Sequence, residues 1–240
     1  MFDDDLLAAI GAWQNGWLED QARRKELGIR LQEVIERLPD RFRTSSEVCF
    51  RKHFLYKGEL TDILISDAKS DGTLSWTTDS VYAERFKGFF RTGAVSAAIF
   101  RHKPDSGEVV LNIAALWADP DFVRSADSYR ERGGDFADAL YNFSDRQGEI
   151  VLNAPLRGSE IIALTGISSP FDDLCDLHGI PEEGRDSIFT QMASQGIYTG
   201  EWRLLGEEGA RSVIERTIAQ MHALIAERLA SQASREADNS

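Results

Sequence analysis

The spacing of apolar residues changes twice along this 240-residue chain, and those two changes constrain its architecture most. Leu6, Ile10, Trp13 and Trp17 recur at helical spacing, followed by Leu27, Leu31, Val34 or Ile35, and Leu38. Asn15-Gly16 weakens or splits the first helix, and Pro39-Asp40 closes the second. From about residue 47 the pattern shortens to EVCFRKHFL, TLSWT, VSAAIFR, EVVLNIA, GEIVLNA and EIIALTG. These segments are rich in β-branched and aromatic residues and separated by turn residues, so each predicts a strand. Helices are expected to interrupt them over 80–87 and within 135–141, with Asp79 as N-cap of the first. After Gly166 helical spacing returns. Pro181 suits the first turn of a helix that Gly196 can end. Ala210, Val213, Ile214, Ile218, Met221, Leu224, Ile225 and Leu229 then draw one stripe on a long terminal helix, to pack on its own domain or to dock a partner.

The expected organisation is an N-terminal helical segment over 1–45, a β-rich core over 46–166, a C-terminal helical segment of the same domain over 167–230, and a disordered tail over 231–240. That is an α+β chain. Its formal net charge of −13 repels phosphate backbones at long range, which argues against a general nucleic-acid binder but not against a small basic cleft. The longest apolar runs, VSAAIF and VVLNIAALWA, are too short to span a bilayer, and MFDDDLLAAIGAW is acidic where a secretory signal is basic. A cytoplasmic protein without a membrane partner is the expectation. Cys49 and Cys175 lie in no metal or redox spacing, so two free thiols and no metal are expected. The chain carries no G-x-G-x-x-G, Walker A, H-E-x-x-H or G-x-S-x-G sequence.

Three short pieces within the core carry polar residues where strands expose alternate faces. Arg51 lies in mid-strand with Cys49 and His53 on its face, opposite Val48, Phe50 and Phe54. Such an arginine is either an edge residue with an ion-pair partner or a planar fork that grips a pyrophosphate. Ser75 and Thr77 share a face opposite Trp76, where two hydroxyls can orient a carboxylate or simply meet solvent. Gln147 and Glu149 share a face ahead of Ile150, Val151 and Leu152, which predicts a carboxylate at the rim of a cleft. Taken singly, each has an ordinary structural explanation. Taken in order, they form a set.

That ordered set resembles the Arg–Ser-x-Ser/Thr–Gln/Glu-x-Glu class of ADP-ribosyltransferases, which includes bacterial toxins and defence effectors, and the match spans Val48 to Gly166. The resemblance implies a core of two packed sheets flanked by N-terminal and C-terminal helices. It implies NAD+ as co-substrate and ADP-ribose transfer to a protein or nucleic-acid acceptor; an NAD+ glycohydrolase and an inactive binding protein on the same fold are the alternatives. Arg51 would hold the phosphates. Ser75 would orient the catalytic Glu149, Trp76 and Thr77 would shape the nicotinamide end, and Gln147 would face the acceptor. Thr77 stands where serine is commoner, with the hydroxyl kept. Tyr82, Phe86, Phe89 and Phe90 follow the second motif; one of them, Phe86 among the candidates, could stack on nicotinamide, although Tyr82 and Phe86 also have core-facing helical spacing. An antitoxin protein is a conceivable partner, with the terminal helix as one docking face.

Overall fold

The computed structural model describes residues 1–16, 20–88, 91, 93–142, 144, 147–167, 175–194 and 202–238. Trp17, Phe89, Phe90 and Gly196, which figure in the expectations above, lie outside the described residues. The described chain mixes helix and sheet, as the α+β expectation requires. It divides into two compact units, Met1–His53 with Gly58–Phe86 and Ile99–Glu160, and Phe54–Lys57 with Lys87–Ala98 and Ile161–Ser240.

The first unit opens with helices α1 (Asp4–Asn15) and α2 (Gln21–Ile35). Each starts on an aspartate cap: Asp3 accepts from the Leu6 N–H, and Asp20 from the Arg23 N–H. Gly16, at φ 81°, ends α1 in a conformation that costs other residues energy. Its strands are β1 (Cys49–Leu55), β2 (Leu74–Thr77), the C-terminal part of β3 (Ser96–His102), β4 (Val109–Asn112) and β5 (Glu149–Leu152). They lie in the order β4-β5-β2-β1-β3, and β4–β5, β5–β2 and β2–β1 are antiparallel. Helices α3 (Glu59–Ser66), α4 (Ser80–Arg85), α5 (Ile113–Trp117) and α6 (Pro120–Glu131) connect them.

Leu6, Leu7, Ile10 and Trp13 of α1 and Leu27, Leu31, Val34 and Ile35 of α2 share one apolar core with Leu111, Phe122, Leu140 and Val151. Burying each such side chain contributes about 1.5–3 kcal/mol. This core explains a correction. Neither unit holds two sheets packed face to face among the described residues; in the first unit the face bearing Leu111 and Val151 is covered by helices instead. Local capping corrects a second expectation. EVVLNIA does not continue as strand past Asn112, because the Asn112 side chain accepts from the Ala115 N–H at 2.9 Å and starts α5. Asp79 caps α4 as expected, accepting from the Val81 and Tyr82 N–H groups.

The second unit contains the N-terminal part of β3, β6 (Ile161–Ile167), β7 (Trp202–Leu205), α7 (Glu182–Ser194) and α8 (Glu207–Asp238). β6 and β7 pair antiparallel with Leu164 opposite Leu205. Thr165 accepts from the Ala97 N–H at 2.7 Å and, through its carbonyl, from the Ser96 hydroxyl at 2.5 Å. Helix α8 continues to Asp238, through most of the segment expected to be disordered. Alanine, glutamate and arginine there extend an existing helix without a new nucleation cost. Its stripe is only partly covered: Ala210 is buried, whereas Leu224, Ile225 and Leu229 are exposed. No described helix is long and apolar enough to cross a membrane.

Candidate active site

Strands β2 and β5 bring two of the three polar pieces together through their register. Thr77 lies opposite Glu149 and Ser75 opposite Val151, so Ser75, Thr77 and Glu149 share one sheet face, while Trp76 and Ile150 occupy the other. Gly148 makes the entry to β5 possible. It sits at φ 56°, its carbonyl accepts from the Thr78 N–H, and a side chain there would collide with the Thr78 hydroxyl.

Glu149 is 3% exposed, inside the protein rather than at the rim the sequence suggested. Helix α1 is the reason, because its C-terminal end lies over this part of β5. Oε2 accepts from Gln14 Nε2 at 2.6 Å and from Gln147 Nε2 at 3.3 Å. Oε1 accepts from Trp13 Nε1 at 3.4 Å, and the same indole N–H donates to Ser75 Oγ at 3.1 Å. The Trp13 indole thereby links the Ser75 hydroxyl to the carboxylate. Burial raises the Glu149 pKa above its ordinary value, and the polar groups of Ser75, Gln14, Trp13 and Gln147 oppose that shift without cancelling it. Only the Gln14 bond is short; the others whose distances are given above are long enough to be weak.

Arg51 reaches this region by a different route. The one register pair between β1 and β2 is Phe50 opposite Thr77, so alternation gives the shared face to Phe50 and not to Arg51. The long side chain of Arg51 nevertheless donates from Nη1 to the Ser75 carbonyl at 2.5 Å. Its pKa falls to about 10, first through burial and then through the Arg24 charge, against the attraction of Asp71 and Glu149. The face opposite Arg51, read from sequence as apolar, also holds a buried Lys52 that donates to the Glu84 carbonyl at 2.9 Å.

The remaining expected residues separate. The Thr77 hydroxyl donates to the Gln147 carbonyl and accepts from the Asp79 N–H at 3.0 Å, so it braces the Gln147 loop. Gln147 is buried and turned toward Glu149. Trp76 is buried on the opposite face, 5.6 Å from the His102 ring, and is not brought to the Glu149 side. Tyr82 and Phe86 are half-buried with rings 5.7 Å apart, and the Tyr82 hydroxyl pKa is raised by burial and then by the Glu149 charge. His53 is paired with Glu59 at 2.9 Å.

Trp13 and Gln14 are the residues the sequence reading missed. Gln14 follows Trp13 at the end of an apolar helical face and is buried there, with its Oε1 unpartnered. A glutamine flanking a core position was the one available signal. Among the described residues no group of three or more His, Cys, Asp or Glu side chains converges as metal ligands. No protein-family model, curated protein or solved structure matches the chain.

Proposed function

We propose that the chain is a mono-ADP-ribosyltransferase that uses NAD+ and modifies a macromolecule, in the manner of bacterial toxins and defence effectors. The observation that carries this reading is the Thr77–Glu149 register, with the Ser75 hydroxyl on the same sheet face as the Glu149 carboxylate and the Arg51 guanidinium against the Ser75 carbonyl. In this reading Arg51 holds the NAD+ phosphates and Glu149 meets the nicotinamide-bearing ribose. The carbon–nitrogen bond to nicotinamide breaks with its electron pair leaving on the pyridine nitrogen. Positive charge then develops on the sugar, as in glycoside cleavage. A fixed carboxylate binds that charge better in the transition state than in the ground state. An acceptor oxygen or nitrogen attacks the same carbon and loses its proton. Ser75, Trp13 and Gln14 keep the carboxylate in position, and Tyr82 and Phe86 offer an aromatic wall.

The test is incubation with NAD+ labelled in its adenylate half and cell lysate, beside a Glu149→Ala control. Label on a macromolecule that protease or nuclease releases, absent from the control, is the expected result. Free labelled ADP-ribose alone identifies a glycohydrolase instead. A second reading, a binding protein on this fold without catalysis, is favoured by the internal donors that already face both Glu149 oxygens. NAD+ left unconsumed by the wild-type protein, together with a cellular effect indifferent to Glu149→Ala, would establish that alternative and end the transferase reading.

A further inference from the structure

Two guanidiniums in the first unit lie against one stretch of chain and are left with donors to spare. Arg24 on α2 is 7% exposed and donates from Nη2 to the Asp71 carbonyl at 2.8 Å. Arg51 donates to the carbonyl of Ser75, four residues further on. Gly28, one turn along α2 from Arg24, allows this approach: a Cβ there would come within 2.9 Å of Thr73, between the two carbonyls. Gln32, a turn further, donates to the Thr73 hydroxyl at 3.2 Å. Helix α2 is therefore pressed onto segment 71–75 along three successive turns.

Neither arginine forms an ion pair with a carboxylate among the described residues, and the Nε of each is buried without a hydrogen-bond partner. Buried guanidiniums ordinarily have anionic partners and satisfied donors. Asp71, ion-paired with Lys69 at 3.8 Å, and Glu149, bonded to its own donors, attract Arg51 only at a distance. The Arg24 charge acts on the Arg51 pKa in the opposite direction and lowers it. Two planar forks with free donors match the spread of oxygens on linked phosphates better than a single carboxylate.

We propose that Arg24 and Arg51 form a two-armed site for a pyrophosphate group, in which Arg24 is a ligand-binding residue. The proposal rests on the transferase reading only for the identity of the dinucleotide, and on the two side chains for the anion. Inorganic pyrophosphate, ADP and adenosine, each with EDTA, are the probes, titrated calorimetrically and by thermal shift at low and moderate salt. Pyrophosphate and ADP should bind and raise the melting temperature, more so at low salt, and adenosine should not. Arg24→Met should weaken pyrophosphate binding about tenfold to a hundredfold, the loss of charge-assisted hydrogen bonds. If Arg24→Met does not fold, Arg24→Lys decides: it keeps the charge and loses the fork, and equal affinity overturns the proposal. A wild-type protein indifferent to millimolar pyrophosphate also overturns it. Pyrophosphate binding without NAD+ turnover would keep the anion site and sink the transferase reading. Turnover with an unchanged KM for NAD+ in Arg24→Lys would do the reverse.

Discussion

Replacing Glu149 by glutamine should move activity and stability in opposite directions. The carboxylate is 3% exposed and meets one short donor, Gln14 Nε2 at 2.6 Å, with Gln147 and Trp13 at 3.3 and 3.4 Å. One strong bond and weaker ones do not repay the desolvation of a full charge, which is why burial dominates and the pKa is raised. A raised folded-state pKa means that the folded protein prefers the neutral group. The associated stability is fully present below the ordinary glutamate value of 4.5 and is lost as pH rises through the higher folded value. A neutral isostere escapes that loss. At pH 7 Glu149→Gln should therefore be more stable by about 1–3 kcal/mol, the scale of an incompletely compensated buried polar group. For a chain of this size that is a rise in Tm of roughly 2–12 °C. Below about pH 4.5 the two proteins should converge. NAD+ consumption by the same variant should fall about 10²–10³-fold, the cost of removing one preorganised charge-stabilising group. Thermal melts from pH 4 to 8 with a parallel NAD+ assay measure both. A variant less stable than wild type at pH 7, or a gap that does not widen with pH, would refute the electrostatic argument. Unchanged turnover would remove Glu149 from the chemistry.

Two further outcomes concern the frame around the site. His102 bonds Glu160 at 2.8 Å through Nδ1 and Glu108 at 2.9 Å through Nε2, and the Glu160 bond leads in raising its pKa, against burial. Its stabilising contribution is complete below the ordinary value of 6.5 and is lost as pH rises through the elevated one, so urea denaturation should show wild type losing about 1–3 kcal/mol above pH 6.5. His102→Gln should flatten that dependence; equal slopes would show that the imidazolium is not its source. Gly148→Ala must adopt a positive φ and displace the Thr78 hydroxyl, which should destabilise by about 1–3 kcal/mol in the same assay and lower any NAD+ turnover by shifting Glu149. A neutral substitution there would mean that the Gln147 loop has room to rearrange.

Repeat length and capping chemistry made much of the secondary structure legible. The two N-terminal helices, six strands and the Asp79 cap depend on neighbours a few residues apart, where side-chain periodicity and backbone hydrogen bonds act directly. Helix α6 was legible too, in Asp119-Pro120, where Asp119 accepts from the Asp121 N–H and proline occupies the first turn; the strand-dominated reading passed over it. The Ser75–Thr77–Glu149 face also followed from alternation alone, once β2 and β5 pair. Sequence, then, determined which residues could share a strand face and where helices begin.

Only tertiary structure decided what stands over that face. Trp13 and Gln14 are separated from Glu149 by 136 and 135 residues, and no local pattern connects them. Packing of the α1 apolar stripe into one core with Val151 and Leu111 carries them there, turning an expected rim carboxylate into a buried one. The same packing brings Arg24 onto the segment that Arg51 also contacts, because Gly28 lets α2 close on Thr73. Burial, and with it the proton affinity of Glu149 and the strength of every charge near it, depends on what excludes water. That is a property of the assembled layers and not of any single segment.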